Sequence, residues 1–217
     1  MIDYNNARTV MVDNQLRTSN IVDRRLLGVM GRIPRELFLP DQRRELAYID
    51  EAHPLGGGRY LAAPAPFARL VQLAEIAETD RVLDIGCGTG YSTAVIAALA
   101  GEVVGVESDK DLAATARANL AGLGIVNATI TEADLATGPK GRGEFDLVIV
   151  EGALNGAPES LFAQLRDGGR LVALLKRGPT AAANVFVKVG KDVAARTEFN
   201  TTLPPLAVAN PPEQFVF

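Results

Sequence analysis

The chain carries three glycines on alternate positions, Gly86, Gly88 and Gly90, between an apolar run and a helical pattern. The apolar run covers residues 81–85, and the amphipathic pattern begins at Tyr91. This order predicts a strand, a tight turn and a helix, with a loop stripped of side chains where a ligand can approach the backbone. It is typical of an α/β protein built on a parallel sheet.

A second apolar run, residues 103–106, follows the predicted helix and ends in Glu107. A carboxylate at the end of this strand can accept hydrogen bonds from both hydroxyls of a ribose. The carboxyl ends of neighbouring parallel strands lie at one edge of the sheet, where open α/β sheets bind ligands. The two motifs together predict a site for a cofactor that contains a nucleoside.

The glycine spacing and one acidic residue distinguish between two cofactors. Dinucleotide sites use G-x-G-x-x-G to hold a pyrophosphate, whereas this chain has G-x-G-x-G preceded by Asp84. An anion beside the loop repels a diphosphate but attracts a cation. S-adenosylmethionine carries a sulfonium and an ammonium and no phosphate, so it is favoured over NAD. A plain turn that binds no ligand stays open as an alternative.

Composition excludes several classes of protein. The chain has 217 residues, of which 47% are hydrophobic and 22% charged, as in a soluble globular domain. A net charge of −4 argues against a nucleic-acid surface, and no apolar run approaches bilayer length, so no membrane partner is expected. The single cysteine, Cys87, fits a reducing cytoplasm. Its position favours a small residue in a crowded turn over a nucleophile.

The rest of the chain predicts one α/β domain over residues 1–217, with a doubly wound, mostly parallel sheet of the Rossmann-like kind. Residues 1–66 form a helical cover, with Asp23 as an N-cap, and a long Pro- and Gly-rich loop over 51–66; residues 67–217 form the core. The expected helices are 67–78, 91–100, 109–122 and 158–166. The expected strands are 81–85, 103–107, 128–132, 145–150 and 169–175, then a hairpin of 184–189 and 194–201.

Four of these strands deliver acidic residues to the same edge of the sheet. Asp84 and Glu107 close the first two, Asp134 follows the third, and Glu151 ends the fourth. Asp134 suits the exocyclic amine of an adenine, whereas Glu151 is equally compatible with a helix cap or a solvent-facing residue. The sole histidine, His53, precedes a proline in the loop and is interpreted as incidental rather than as a general base.

The N-terminal part of the chain resembles protein-L-isoaspartate O-methyltransferases, enzymes that repair damaged aspartyl and asparaginyl sites in proteins. The resembling segments are residues 11–17, 23–30, 33–40 (Ile-Pro-Arg-Glu-Leu-Phe-Leu-Pro) and 47–50. The resemblance implies a sheet of about seven strands, S-adenosylmethionine as cofactor, and cofactor contacts from Gly86, Gly88, Glu107 and Asp134. It also implies that the substrate is a carboxylate of a protein or peptide; the oligomeric state is left open.

One segment departs from that family's pattern. Residues 54–64 read Pro-Leu-Gly-Gly-Gly-Arg-Tyr-Leu-Ala-Ala-Pro, where the family signature is similar to Pro-Ile-Gly-x-Gly-Gln-Thr-Ile-Ser-x-Pro. Ala62 therefore stands at the position of the family's catalytic serine and lacks its hydroxyl. Arg59 and Tyr60 are the candidates to replace that contact, Arg59 as a bidentate partner of a carboxylate. A different methyl acceptor and a non-catalytic cofactor-binding protein are the alternatives.

Overall fold

The computed structural model describes residues 2–206. Their helices are α1 (Tyr4–Met11), α2 (Arg24–Met30), α3 (Pro64–Leu73), α4 (Tyr91–Ala97), α5 (Lys110–Gly122) and α6 (Glu159–Phe162), with a π-helical turn at Val12–Leu16 and 3-10 turns at Arg17–Ser19, Arg35–Phe38 and Asp41–Leu46. Their strands are β1 (His53–Gly56), β2 (Arg59–Leu61), β3 (Arg81–Ile85), β4 (Glu102–Glu107), β5 (Ala128–Glu132), β6 (Phe145–Leu154), β7 (Leu165–Arg177), β8 (Thr180–Val189) and β9 (Asp192–Thr201).

A seven-stranded sheet has the order β5-β4-β3-β6-β7-β8-β9. The pairs from β5 to β7 are parallel, and β8 and β9 add antiparallel strands at one edge. Strand β3 lies between β4 and β6, the point at which the chain reverses the direction in which strands are added. This is the switch point where doubly wound sheets bind ligands at their carboxyl edge. The predicted fold class is confirmed.

Buried apolar residues on both faces of the sheet explain why these strands are continuous Val, Ile and Leu runs. Val82 belongs to one buried cluster, which includes α3 and α4, and Leu83 belongs to the other. Parallel strands covered on both faces require such runs, because every side chain meets packed protein. The first cluster also includes Met11 and Leu26, so the N-terminal helices pack on the same core as the sheet.

Asp23 caps α2 as predicted, since its carboxylate accepts hydrogen bonds from the backbone N–H groups of Arg25 and Leu26. The long loop predicted over 51–66 is wrong. β1 and β2 pair there as an antiparallel hairpin, with Pro54 opposite Tyr60. The glycine run between the two strands takes positive φ values of 56° to 101°, which permits a tight turn where a composition rule indicates a loop.

Several element boundaries also differ from the prediction. Helix α3 begins at Pro64, because proline suits the first helical position, and ends at Leu73 instead of residue 78. Strands β6 and β7 are longer than predicted, and β7 runs through the turn expected at Gly168 and Gly169. Helix α6 is a single turn. The Pro-rich tail, 207–217, lies outside the described residues. The division of the chain at residue 66 stays a prediction.

Candidate functional site

The glycine loop lies at the carboxyl end of β3 and needs its glycines for their backbone conformation. Gly86, Gly88 and Gly90 have φ values of +86°, +56° and +94°. These values lie in the left-handed region, which costs glycine little and other residues more. The N–H groups of Gly86 and Cys87 both donate to the carbonyl of Val106, at 2.8 and 3.1 Å. The loop is therefore fastened to β4.

Asp84 is completely buried at the base of this loop. Its Oδ2 accepts hydrogen bonds from Ser92 Oγ at 2.7 Å and Thr93 Oγ1 at 2.6 Å, both in the first turn of α4. Its Oδ1 is buried without a hydrogen-bond partner. Burial raises the pKa of Asp84 to about 6, although the two hydroxyls oppose that shift. The carboxyl group behind the loop therefore has one oxygen that accepts no hydrogen bond.

Glu107 is also completely buried, at the end of β4. Its Oε2 accepts the N–H of Gly88 at 2.9 Å, and its Oε1 accepts the N–H groups of Ser108 at 2.8 Å and Asp109 at 3.2 Å. Backbone donors thus fix this carboxylate beside the loop, in the place expected for a group that binds a ribose diol.

Glu151 supplies a third carboxylate. Its Oε1 is buried without a partner, and burial together with the negative charge of Asp84 raises its pKa well above the ordinary value. The carboxyl borders a small cavity with Tyr60 and Ser92. Glu151 lies in β6, so it is not a helix cap, and the residue is half-buried with its Oε1 shielded from solvent. Two unpartnered carboxylate oxygens, on Asp84 and Glu151, suit a cationic ligand and disfavour a diphosphate.

Arg59 lies inside the site. Its side chain is 7% exposed, and its Nε is 3.1 Å from Glu107 Oε2. Its Nη2 donates to the carbonyl of Gly86. The candidate partner of an acceptor carboxylate is therefore directed towards the glycine loop in this structure.

Tyr60 and Ala62 lie on the other side of the hairpin. Both border the small cavity, whose volume is about 10 Å³, and Tyr60 is 42% exposed. The Ala62 carbonyl accepts a hydrogen bond from Arg35 Nη2, which fixes the backbone at this position. The structure brings Tyr60, Ala62 and Glu151 together at this cavity, while the guanidinium of Arg59 contacts Glu107 and the Gly86 carbonyl. The remaining lining residues are Leu55, Leu61, Phe67, Gly86, Cys87, Tyr91 and Ser92.

Asp134 is exposed, and its described hydrogen bonds stay within its own turn. Its Oδ1 accepts the N–H groups of Ala136 at 2.7 Å and Thr137 at 3.1 Å. This geometry holds the turn after β5 in place, and the adenine contact stays a prediction.

Cys87 and His53 have the environments of structural residues. Burial and two nearby carboxylates raise the pKa of the Cys87 thiol well above its ordinary value, which is the opposite of what a thiolate nucleophile needs. His53 is buried, and burial and the charge of Arg35 lower its pKa.

Three kinds of residue at the site escaped the sequence analysis. Ser92 and Thr93 were detectable as hydroxyls in the first helical turn after the glycines, where they face back towards β3. Arg35 is completely buried with its guanidinium 4.9 Å from the centre of the Tyr91 ring. An isolated arginine in a charged segment gives no signal of such burial. No local sequence pattern indicates that Leu206 Cδ1 lies close to Gly86.

Within residues 2–206, no helix is both long and apolar enough to cross a membrane. The same residues contain no group of three or more side chains arranged to hold a metal ion.

Comparisons with known proteins agree with this geometry. The family model of protein-L-isoaspartate(D-aspartate) O-methyltransferase matches residues 6–207. A protein-L-isoaspartate O-methyltransferase 2 of Anaeromyxobacter sp. is 39% identical over 184 residues, which are 85% of this chain and 75% of that protein. A protein-L-isoaspartate O-methyltransferase of Koribacter versatilis is also 39% identical, over 76% of this chain and 74% of its own length.

Two solved structures share the fold at lower identity. A protein-L-isoaspartate O-methyltransferase has a TM-score of 0.77 at 24% identity, over 94% of this chain and 66% of that one. The second is a Plasmodium falciparum protein described as a putative protein-L-isoaspartate O-methyltransferase and solved in complex with S-adenosyl-L-homocysteine. It has a TM-score of 0.76 at 22% identity, over 95% of this chain and 99% of that one. The model match and the relatives at 39% identity decide the family: the chain belongs to the protein-L-isoaspartate(D-aspartate) O-methyltransferase family.

Proposed function

We propose that this protein transfers the methyl group of S-adenosylmethionine to a carboxylate of a damaged aspartyl residue in a protein or peptide. Membership of the family confirms the expectations of a methyltransferase and of S-adenosylmethionine as its cofactor. The observation that carries the site assignment is the buried carboxylate of Asp84 behind the glycine loop, with Oδ1 unpartnered.

The residues at the carboxyl edge of the sheet suit the parts of that cofactor. Gly86, Gly88 and Gly90 leave the loop open to close approach, and Glu107 would accept the ribose hydroxyls. Asp84 and Glu151 would balance its positive charge. When bound, the cofactor supplies an electrophilic methyl group on a sulfonium. We propose Asp134 as the contact to the adenine amine.

The acceptor needs no general base, because a carboxyl with an ordinary pKa of about 4 is ionised at neutral pH. The protein's part is to place the acceptor in line with the methyl group and to exclude water, since a dry site favours the meeting of an anion with a cation. Leu55, Leu61 and Phe67 give the cavity the apolar walls that this requires.

Tyr60 is the residue of the hairpin placed to contact the acceptor at the cavity rim. It is partly exposed, borders the same cavity as Ala62, and carries a hydroxyl that can donate to a carboxylate. We propose that Tyr60 supplies part of the contact that the serine makes in the family. Arg59 can contribute only after it leaves Glu107.

Ala62 favours a second candidate, a methyltransferase with another carboxylate acceptor. Loss of one positioning donor costs roughly 2–4 kcal/mol of transition-state stabilisation when nothing replaces it. Three changes in one acceptor segment, at positions 59, 60 and 62, are consistent with an acceptor of different shape.

A methyl-transfer assay separates these functions. Purified protein and labelled S-adenosylmethionine are incubated with an isoaspartyl peptide and, as matched control, the same peptide with ordinary aspartate. Labelling of the isoaspartyl peptide alone supports repair. Labelling of an extract component but of neither peptide supports the second candidate. Cofactor binding without labelling of any component would contradict both candidates.

The expected setting of this activity is the cytoplasm, without a nucleic-acid or membrane partner. Support comes from the acidic composition and from the single cysteine, which is buried.

A further inference from the structure

Arg59 holds the position next to Glu107 where the cofactor's ribose belongs. The guanidinium lies 3.1 Å from Glu107 Oε2 through Nε and donates to the Gly86 carbonyl through Nη2. The other acceptor sites of Glu107 are taken by backbone N–H groups. A ribose hydroxyl that donates to this carboxylate must therefore displace Arg59.

The space above the glycine loop is filled by the chain itself. A β-carbon on Gly86 would lie 2.5 Å from Arg59 Nη2 and 2.9 Å from Leu206 Cδ1, and one on Gly88 would lie 2.8 Å from Leu55 Cδ1. The cavity that remains beside the loop is about 10 Å³. That volume holds about one water molecule, whereas small-molecule sites are on the order of hundreds of Å³.

The carboxyl groups at the glycine loop favour a positively charged partner. Asp84, Glu107 and Glu151 bring three carboxyl groups to the loop, and Arg59 brings a guanidinium against Glu107. A buried carboxylate is stabilised by a hydrogen-bonded cation and destabilised without one. Arg59 therefore supplies the positive charge that stabilises the buried carboxylate of Glu107.

From these contacts we propose that Arg59 is a built-in competitor of the cofactor, which holds the site closed until the cofactor displaces its guanidinium from Glu107. The inference rests on the proposed function, since it needs S-adenosylmethionine or its product as the ligand. Arg59 stands where the family has glutamine, a neutral side chain that forms no ion pair with Glu107.

The consequence is a weaker apparent affinity, because part of the ligand's binding free energy is spent on breaking the buried Arg59–Glu107 pair. Arg59→Gln removes the cation and restores the family's residue. Arg59→Lys keeps the charge but loses the planar fork, so it competes less well. Arg32→Gln, the same exchange at an exposed arginine that does not border the cavity beside the loop, is the matched control.

The test is a calorimetric titration of these four proteins with S-adenosyl-L-homocysteine. We expect Arg59→Gln to bind at least about tenfold more tightly than the wild type, with Arg59→Lys between them and Arg32→Gln unchanged. Equal or weaker binding by Arg59→Gln would overturn the competitor role and leave the cofactor assignment intact. Absence of binding by all four proteins would instead refute the proposed function, and the competitor role with it.

A second measurement uses the wild type alone, so it does not depend on whether the variants fold. In the ligand-free wild type, the Nε–H of Arg59 should give a nuclear magnetic resonance signal protected from solvent exchange, because it is bonded to Glu107 in a buried site. Saturation with S-adenosyl-L-homocysteine should remove that protection. A signal that stays protected in the complex would show that the ligand binds without displacing Arg59, and would overturn the proposal.

Discussion

Glu107 Oε2 accepts the backbone N–H of Gly88 at 2.9 Å, so a carboxylate at the end of β4 fastens the loop that follows β3. The same side chain also accepts two N–H groups of the segment that leads into α5. One buried residue therefore joins the glycine loop, the neighbouring strand and the next helix. The residue proposed to bind the cofactor's ribose is therefore also one that holds the fold together at this edge of the sheet.

Replacement of Glu107 by alanine should destabilise the fold. The variant leaves three backbone N–H groups and the guanidinium of Arg59 without their buried acceptor, and breaking a buried ion pair costs roughly 3–5 kcal/mol. Urea denaturation measures the free energy of unfolding. Glu132→Ala, which removes an exposed carboxylate at the end of β5, is the control and should change it by less than about 0.5 kcal/mol. A loss below about 1 kcal/mol for Glu107→Ala would contradict the structural role.

The pKa of Asp84 predicts how stability depends on pH. Because that pKa is about 6 in the folded protein and 3.8 ordinarily, the folded state binds more protons between these values. The free energy of unfolding should therefore fall as the pH rises from about 4 to 6, by up to about 3 kcal/mol for this group.

Denaturation of the wild type and Asp84→Asn across this range isolates the contribution of Asp84. The difference in unfolding free energy between the two proteins should change in favour of Asp84→Asn as the pH rises, and should level off above about pH 6. A difference that stays constant from pH 4 to 7 would show that the Asp84 carboxyl titrates normally.

Arg35 should not tolerate exchange for lysine. The guanidinium donates from Nε to the Ala47 carbonyl at 2.7 Å, donates from Nη2 to Ala62, and stacks on Tyr91. The ammonium of lysine has neither the paired donors nor the planar surface of a guanidinium. Arg35→Lys should therefore lower the free energy of unfolding by about 2–4 kcal/mol. Thermal and urea unfolding check the loss, and Arg32→Lys, at an exposed arginine, is the control. Unchanged stability would mean that Arg35 does not hold the hairpin at Ala62.

Ala62→Ser should raise methyl transfer to isoaspartyl peptides. The new hydroxyl borders the cavity beside Tyr60, where a donor can hold the acceptor carboxylate. A gain of roughly 2 kcal/mol in transition-state stabilisation corresponds to about a 30-fold higher kcat/KM. Ala62→Cys has nearly the shape of serine but a weak donor, and should gain much less. If the two variants are equally active, the hydroxyl is not the missing contact.

Much of the fold follows from local patterns in the sequence. The central parallel strands are apolar runs bounded by polar residues, and β3 has the predicted limits because its run ends at Gly86. The edge strand β5, Ala-Thr-Ile-Thr-Glu, also has the predicted limits although it is not a continuous apolar run. The hairpin over residues 53–61 was not predicted, because Pro and Gly composition indicates a loop even where a two-stranded hairpin forms. The exact ends of α3 and α6 depend on tertiary packing, which local propensity does not report.

The site was predictable where a residue's position on a strand fixes its direction. Asp84 and Glu107 close adjacent parallel strands, so both lie at the glycine loop as expected. The direction of Arg59 was not predictable, since a long side chain on a hairpin can turn to either face. The burial of Glu151 Oε1 without a partner, and the approach of Leu206 to Gly86, depend on distant segments that meet only in the folded chain.

The most direct test of the central claim is a calorimetric titration of the ligand-free protein with S-adenosylmethionine at pH 5 and pH 7. The account predicts a single site whose affinity rises with pH, because a cationic ligand favours the ionised carboxyl of Asp84. Asp84→Asn should bind at least about tenfold more weakly, and Glu132→Gln should bind like the wild type. Equal affinities for the wild type and Asp84→Asn at pH 7 would contradict a cofactor site built on this carboxylate.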